Sequence, residues 1–182
     1  MIKKTTPSSI FETVSKLDPE SFPPVHLWDP PICKNVDMKI DREGRWYFMD
    51  SPIGRERMVK LFSRVLRLDE DGNYYLVTPI EKILLKVEDK PFLIIDYRIE
   101  HPGKNQKIFF TTNTLEEFVV GKEHPLRVFV NKSSEEPSPY VLVRSNLEGL
   151  LSRNVFYKLI DLATIYKSDL GLWSDGKFFK LE

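Results

Sequence analysis

The sequence predicts an α+β fold of two β-rich subdomains, each with antiparallel sheets and one main helix. Three observations predict it. Short runs of β-branched and aromatic residues recur at regular spacing between turn residues. Two segments carry apolar residues at helical spacing, one in each half. Each follows an alternating hairpin pattern, so the order of elements repeats and suggests internal duplication.

Taken in order, Ser9 with Glu12 forms a capping-box pattern that opens a short helix over 8–17, with Ile10, Phe11, Val14 and Leu17 apolar. DPESFPP follows as a stiff extended linker, then VHLWDPPIC, in which Trp28 and Ile32 read as anchors of an ordered arm. Residues 36–40 alternate as a strand, and Asp41 to Gly44 turn it into a second strand at 45–49. Ser51 is the expected N-cap and Pro52 the expected first residue of a helix. Its apolar face is 58, 59, 62, 65 and 66. Arg57, Lys60, Arg64 and Arg67 form a basic stripe opposite. That stripe is either a solvated face balanced by Asp69, Glu70 and Asp71, or an anion-binding face with Arg55 at the helix start.

Asp71-Gly72 turns the chain into a strand at 73–77. Strands follow at 80–87, 92–100, 106–111 and, more weakly, 115–120. The second half repeats the pattern: 126–130 matches 36–40, 140–143 matches 46–49, and Ser145-Asn146-Leu147 matches Ser51-Pro52-Ile53. A second helix is expected over 147–166, then a closing hairpin around Ser174-Asp175-Gly176. The expected division is an N-terminal helix and proline-rich arm (1–34), a first repeat subdomain (35–79) and a C-terminal subdomain with the second repeat (80–182).

Composition narrows the function. The chain has 27 basic and 27 acidic residues, so it lacks the positive excess that general nucleic-acid binding relies on. With Cys33 its one cysteine, it has neither an intramolecular disulfide nor a cysteine metal cluster. The first residues lack the apolar core of a signal peptide, and no run approaches the length of a membrane span. The expectation is a cytoplasmic protein.

Chemistry-bearing motifs are sparse. His26, His101 and His124 have no metal-ligand spacing. Glu88 and Asp89 are adjacent, which suits a turn better than acid/base work. Neither a glycine-rich phosphate loop nor a nucleophile elbow is present. The expectation is therefore no enzyme, no catalytic residue, no metal and no cofactor. What remains is arginine beside aromatics: Arg127, Arg144 and Arg153 near Tyr140, Phe156, Tyr157 and Trp173. Such groups either hold an anion and a flat ring, or are core aromatics with arginines paired to Glu123, Glu148 or Asp161.

The segments HLWDPPIC, VDMKI, GRWYFMDSPIGR, MVKLFSRVLRLDEDGNYYLVTPIEK, VEDKPF, HPLRVFV, PYVLVRSNLEGLLSRNVFYKL and LGLWSDGKFF span about 23–182 in order. In them the chain resembles a bacterial family catalogued as domain of unknown function 1285. That family more often has glycine or another small residue where Asp50 stands. The resemblance implies a duplicated two-domain core, a C-terminal domain like a pleckstrin-homology fold, a nucleotide-like ligand between the domains, and a role in signal transduction. It supplies no catalytic residue. The resulting expectation is a non-enzymatic sensor of a small anionic or nucleotide-like ligand. Arg55, Arg127, Arg144 and Arg153 would hold the charge, and Trp46, Tyr157 or Trp173 would stack. The alternative is a protein–protein adaptor that uses a sheet edge or the C-terminal hairpin. An unassigned hydrolase ranks behind both.

Overall fold

A computed structural model describes residues 8–133 and 135–181. The fold is mostly β, with three helices among the described residues. The chain divides into two units, Met1–Glu88 and Asp89–Glu182.

The first unit runs α1 (Ser8–Ser15), a 3-10 turn (Val25–Leu27), β1 (Ile32–Ile40), β2 (Trp46–Phe48), β3 (Ser51–Pro52), α2 (Glu56–Arg64), β4 (Leu66–Leu68), β5 (Tyr74–Val77) and β6 (Lys82–Val87). Its six-stranded sheet has the order β3-β2-β1-β6-β5-β4, antiparallel except for the parallel pair β1–β6. The turn after β1 closes as expected. The Asp41 carboxylate accepts N–H bonds from Glu43 (3.1 Å) and Arg45 (2.9 Å), and Gly44 takes a φ of 75°. Because β6 lies between β1 and β5, the boundary expected at 79/80 moves to 88/89.

The expected N-cap at Ser51 is corrected. Met49 and Asp50 both take positive φ (47° and 62°), as the central residues of a tight hairpin turn do. That turn folds Ser51 and Pro52 back onto β2, with Tyr47 opposite Pro52. Ile53 N–H bonds the Trp46 carbonyl (2.8 Å), so Pro52 falls where its nitrogen faces away from β2. Its missing N–H is therefore harmless. The helix begins instead at Glu56, with Arg55 in extended conformation before it and no side-chain cap.

Helix α2 buries Leu61 and Phe62. Of the basic stripe opposite, Arg57 is exposed, while Lys60, Arg64 and Arg67 are covered by the N-terminal arm. Arg64 is 6% exposed, donates to the Pro19 carbonyl (3.0 Å) and stacks 3.9 Å from the Phe22 ring. Arg67 donates to the carbonyls of Val25 (2.7 Å) and Trp28 (2.6 Å), and Lys60 pairs with Glu20. Phe11 of α1 meets Phe48 and Phe62 edge-on, each at 5.1 Å. The arm is thus part of the first unit. The Ser9 side chain of the expected capping box lies outside the described residues.

The second unit runs β7 (Phe92–Glu100), β8 (Lys107–Thr112), β9 (Glu117–Val119), β10 (Leu126–Val130), β11 (Pro137–Arg144), β12 (Leu147–Leu151), α3 (Arg153–Asp161), β13 (Thr164–Tyr166), β14 (Asp169–Ser174) and β15 (Lys177–Lys180). A six-stranded sheet has the order β10-β11-β12-β7-β8-β9, with β12–β7 its parallel pair, and a three-stranded sheet has the order β13-β14-β15. The helix expected over 147–166 is corrected to nine residues between two strands. Leu147, Leu150 and Leu151 have helical spacing, but they belong to a central strand buried on both faces. Gly149 shows why: a Cβ there would sit 3.2 Å from Phe92, Ile94 and Val143 side-chain atoms. Ser152 caps α3, accepting the Val155 N–H at 3.3 Å.

The duplication is visible as order. β1-β2-β3-α2-β4-β5 and β10-β11-β12-α3-β13-β14 follow one plan. The pairing around it differs. The first copy joins its sheet through β1, the second through β12.

Candidate functional site

One feature of the second unit that can hold a ligand is a groove between two strand edges. Strand β10 ends the six-stranded sheet and β15 ends the three-stranded one. Residues 125–128 and 177–180 line the space between them, about 390 Å³. That lies within the usual range of ligand sites.

Registers show which backbone groups face it. Leu142 N–H bonds the Pro125 carbonyl, and Leu126 lies opposite Val141. In an antiparallel ladder bonded pairs alternate, so Arg127 and Phe129 spend their peptide groups on β11. Leu126, Val128 and Val130 turn theirs outward, and among the described residues no hydrogen bond reaches them. On β15, Leu181 N–H bonds the Leu170 carbonyl, which leaves the peptide groups of Phe178 and Lys180 facing out.

The charged lining residues are Arg127, Lys177 and Lys180. Arg127 forks onto Glu148, with both N–O distances 2.9 Å, and lies 5.0 Å from the Tyr140 ring. Glu148 also receives Lys90 (2.6 Å), while the Tyr140 hydroxyl donates to Asp89 (3.0 Å). Burial pushes the Glu148 carboxyl up, but hydrogen bonds from Arg127 and Lys90 outweigh it and hold it below its ordinary value. The same bond raises the Arg127 pKa. Lys180 pairs with Asp169 (2.7 Å). Lys177 lies 5.6 Å from the Phe179 ring.

The other expected site residues are dispersed. Trp46 is 2% exposed, stacked on Phe62 at 6.1 Å in the first unit's core, so it cannot receive a ligand ring. Arg55 is exposed at the start of α2. Arg144 pairs with Glu116 and faces Phe92 at 4.9 Å. Arg153, on α3, is 85% exposed with Glu136 at 3.7 Å. Tyr157 is 58% exposed. Trp173 packs on Tyr166 (5.0 Å) and on Phe178 (5.4 Å), one ring from the groove. The three arginines of the second repeat thus meet three different carboxylates, and only Arg127 of the expected set lines the groove. Lys177, Phe178, Phe179 and Lys180 were not among the expected residues. Their signal in the sequence is KFFK, two aromatics bracketed by cations on a closing strand.

Of the weaker candidates, Glu88 accepts the Arg42 N–H (3.2 Å) and Asp89 serves Tyr140, so that carboxylate pair is divided. His124 bonds the Leu142 carbonyl through Nδ1 (3.0 Å) and lies on Phe118 at 4.6 Å. Among the described residues no group of three His, Cys, Asp or Glu side chains is placed to hold a metal. No helix of the described residues is long and apolar enough to cross a membrane.

Comparison with curated proteins finds no match. Among solved structures, a DUF1285 family protein from Silicibacter pomeroyi DSS-3 superposes with a TM-score of 0.86 at 40% identity, over 94% of this chain and 93% of that one. A DUF1285 family protein from Shewanella baltica OS155 superposes with a TM-score of 0.54 at 23% identity, over 71% of this chain and 94% of that one. At that identity the second likeness is one of fold alone. Residues 23–90 match the N-terminal domain of DUF1285, a domain of unknown function, and residues 91–181 match its C-terminal domain. The two domains meet at 90/91, two residues from the division seen in the fold, and the chain belongs to the DUF1285 family.

Proposed function

We propose that the chain is a non-enzymatic binding protein whose second unit takes an anionic ligand in the groove between β10 and β15. The observation that carries this reading is the lining itself. Three cationic residues, Arg127, Lys177 and Lys180, stand beside the half-buried Phe178, with no carboxylate among the lining residues. Cations fix an anion, and aromatic faces take the apolar or flat part of the same ligand. The lining holds no histidine, cysteine, serine or carboxylate to act as base or nucleophile, which favours binding over catalysis. The nucleotide-like ligand implied by the family resemblance is one member of this class. A second reading, an adaptor that captures a polypeptide in a signalling role, is favoured by the unpaired outward backbone of both walls.

Calorimetric titration with ATP, inorganic pyrophosphate and polyglutamate tests the proposal. At least one is expected to bind the full chain, and the double variant Lys177→Glu/Lys180→Glu is expected to weaken it about tenfold or more. The proposal fails if none binds at millimolar concentration, or if charge reversal leaves the affinity unchanged.

A further inference from the structure

We infer that the natural occupant of the groove is an acidic polypeptide segment in extended conformation, which adds as a strand to the free edge of β10. This rests on the anion-binding reading above and names its ligand class.

The edge is unguarded in the ways that matter. Strand β10, LRVFV, contains no proline, no lysine and no bulge in its pairing with β11. Its outward peptide groups are those of Leu126, Val128 and Val130. Phe129 and Val130 are 55% and 44% exposed, so the open end of the strand also offers apolar surface. A small anion would use neither the row of backbone groups nor these side chains. An extended peptide uses both, with main-chain bonds for affinity and alternate side chains for selection.

Width sets where the peptide lies. The walls approach within 8 Å between Cα atoms, less than the roughly 9.6 Å that a strand bonded on both sides needs. The segment therefore pairs with β10 alone, around Val130, past the residues that line the groove on both walls. Charge sets which peptide it is. Lys177 and Lys180 stand at the two ends of β15, Lys177 has no ion-pair partner among the described residues, and Arg127 is on the neighbouring wall. An acidic segment supplies the partner that Lys177 lacks and can compete with Glu148 and Asp169 for the other two, whereas a basic one meets three cations.

The test uses the full chain and a ten-residue peptide alternating glutamate and valine. Its comparisons are a lysine–valine peptide of the same length and the acidic peptide N-methylated at alternate residues along one edge. Pyrophosphate is titrated in parallel. The acidic peptide is expected to bind, the basic one not to. N-methylation is expected to weaken binding about tenfold, the scale of one or two lost hydrogen bonds. Val130→Pro removes an outward N–H at a position outside the groove lining and should give the same loss while leaving pyrophosphate binding unchanged. Equal binding of the N-methylated peptide, or of the acidic peptide to Val130→Pro, overturns strand addition and leaves the anion groove standing. Binding of pyrophosphate without the acidic peptide does the same. If no anion binds, the proposed function itself falls.

Discussion

At the scale of single residues, Gly171 decides how the groove wall is built. A Cβ there would lie 2.2 Å from the Phe179 carbonyl oxygen and 2.7 Å from the Phe178 ring. The first neighbour is backbone and cannot swing aside, so Gly171→Ala must push β15 off β14. We expect a loss of roughly 3 kcal/mol in denaturant unfolding, at the upper end for overpacking, together with weaker anion binding because Phe178 moves. Unchanged stability would mean that β15 is not held where the structure places it. Met49 and Asp50 show the opposite limit. Both adopt left-handed backbone, which costs a side-chain-bearing residue about 1–2 kcal/mol and aspartate less than most. A glycine at position 50 would be free of that strain. No Asn-Gly or Asp-Gly announces this turn, so the Ser-Pro after it reads from sequence alone as a helix start.

At the scale of elements, α2 and the arm show what periodicity can and cannot convey. The spacing of Phe62, Val65 and Leu66 makes the buried face legible except for Leu61, which it passes over, and the arm is legible from Trp28 among prolines. What lies on the basic face is not legible, because Arg67 is met by carbonyls 39 and 42 residues earlier in the chain. A carbonyl leaves no mark on side-chain chemistry. The same limit hid the groove: its character comes from β10 and β15, about fifty residues apart, whose edges meet only in the folded unit. The second helix was misplaced for a different reason, since an apolar run buried on both faces carries no period of two. Arg67 also bonds Asp69 through both carboxylate oxygens, and Lys82 reaches Asp69 at 3.1 Å. Arg67→Ala removes both of its bonds to the arm and leaves the Arg64 bond to the Pro19 carbonyl. We expect about 2 kcal/mol of destabilisation and faster hydrogen exchange over residues 18–28. Arg67→Lys should restore little, because one ammonium cannot reproduce the fork. Unaltered exchange in the arm would show that Arg64, Lys60 and the aromatic contacts hold it without Arg67.

At the scale of the whole chain, stability and binding meet at the carboxylates. Asp69 is held below its ordinary pKa first by Arg67, and Glu117 by Arg98. Asp41 and Glu148 are raised by burial but lowered further by their bonds to Arg45 and Tyr47, and to Arg127 and Lys90. A carboxyl that is more acidic folded than unfolded contributes stability above the unfolded value, near 4, and loses it as pH falls through the folded value. The melting temperature should therefore be flat from about pH 6 to 8 and fall below about pH 4.5. Glu148 ties this to function, because the group that it neutralises, Arg127, lines the groove. Glu148→Gln should cost about 1–2 kcal/mol at pH 7, flatten part of the acid decline, and tighten anion binding severalfold by freeing the guanidinium. Arg127→Ala should cancel the gain in affinity. If Glu148→Gln destabilises the chain but leaves anion affinity unchanged, Arg127 is a structural partner only, and recognition rests on Lys177 and Lys180. A carboxylate that stabilises the fold by occupying the ligand's arginine makes the free protein sturdier and its groove weaker, so an acidic ligand that displaces Glu148 from Arg127 must supply a better-placed carboxylate than the chain's own.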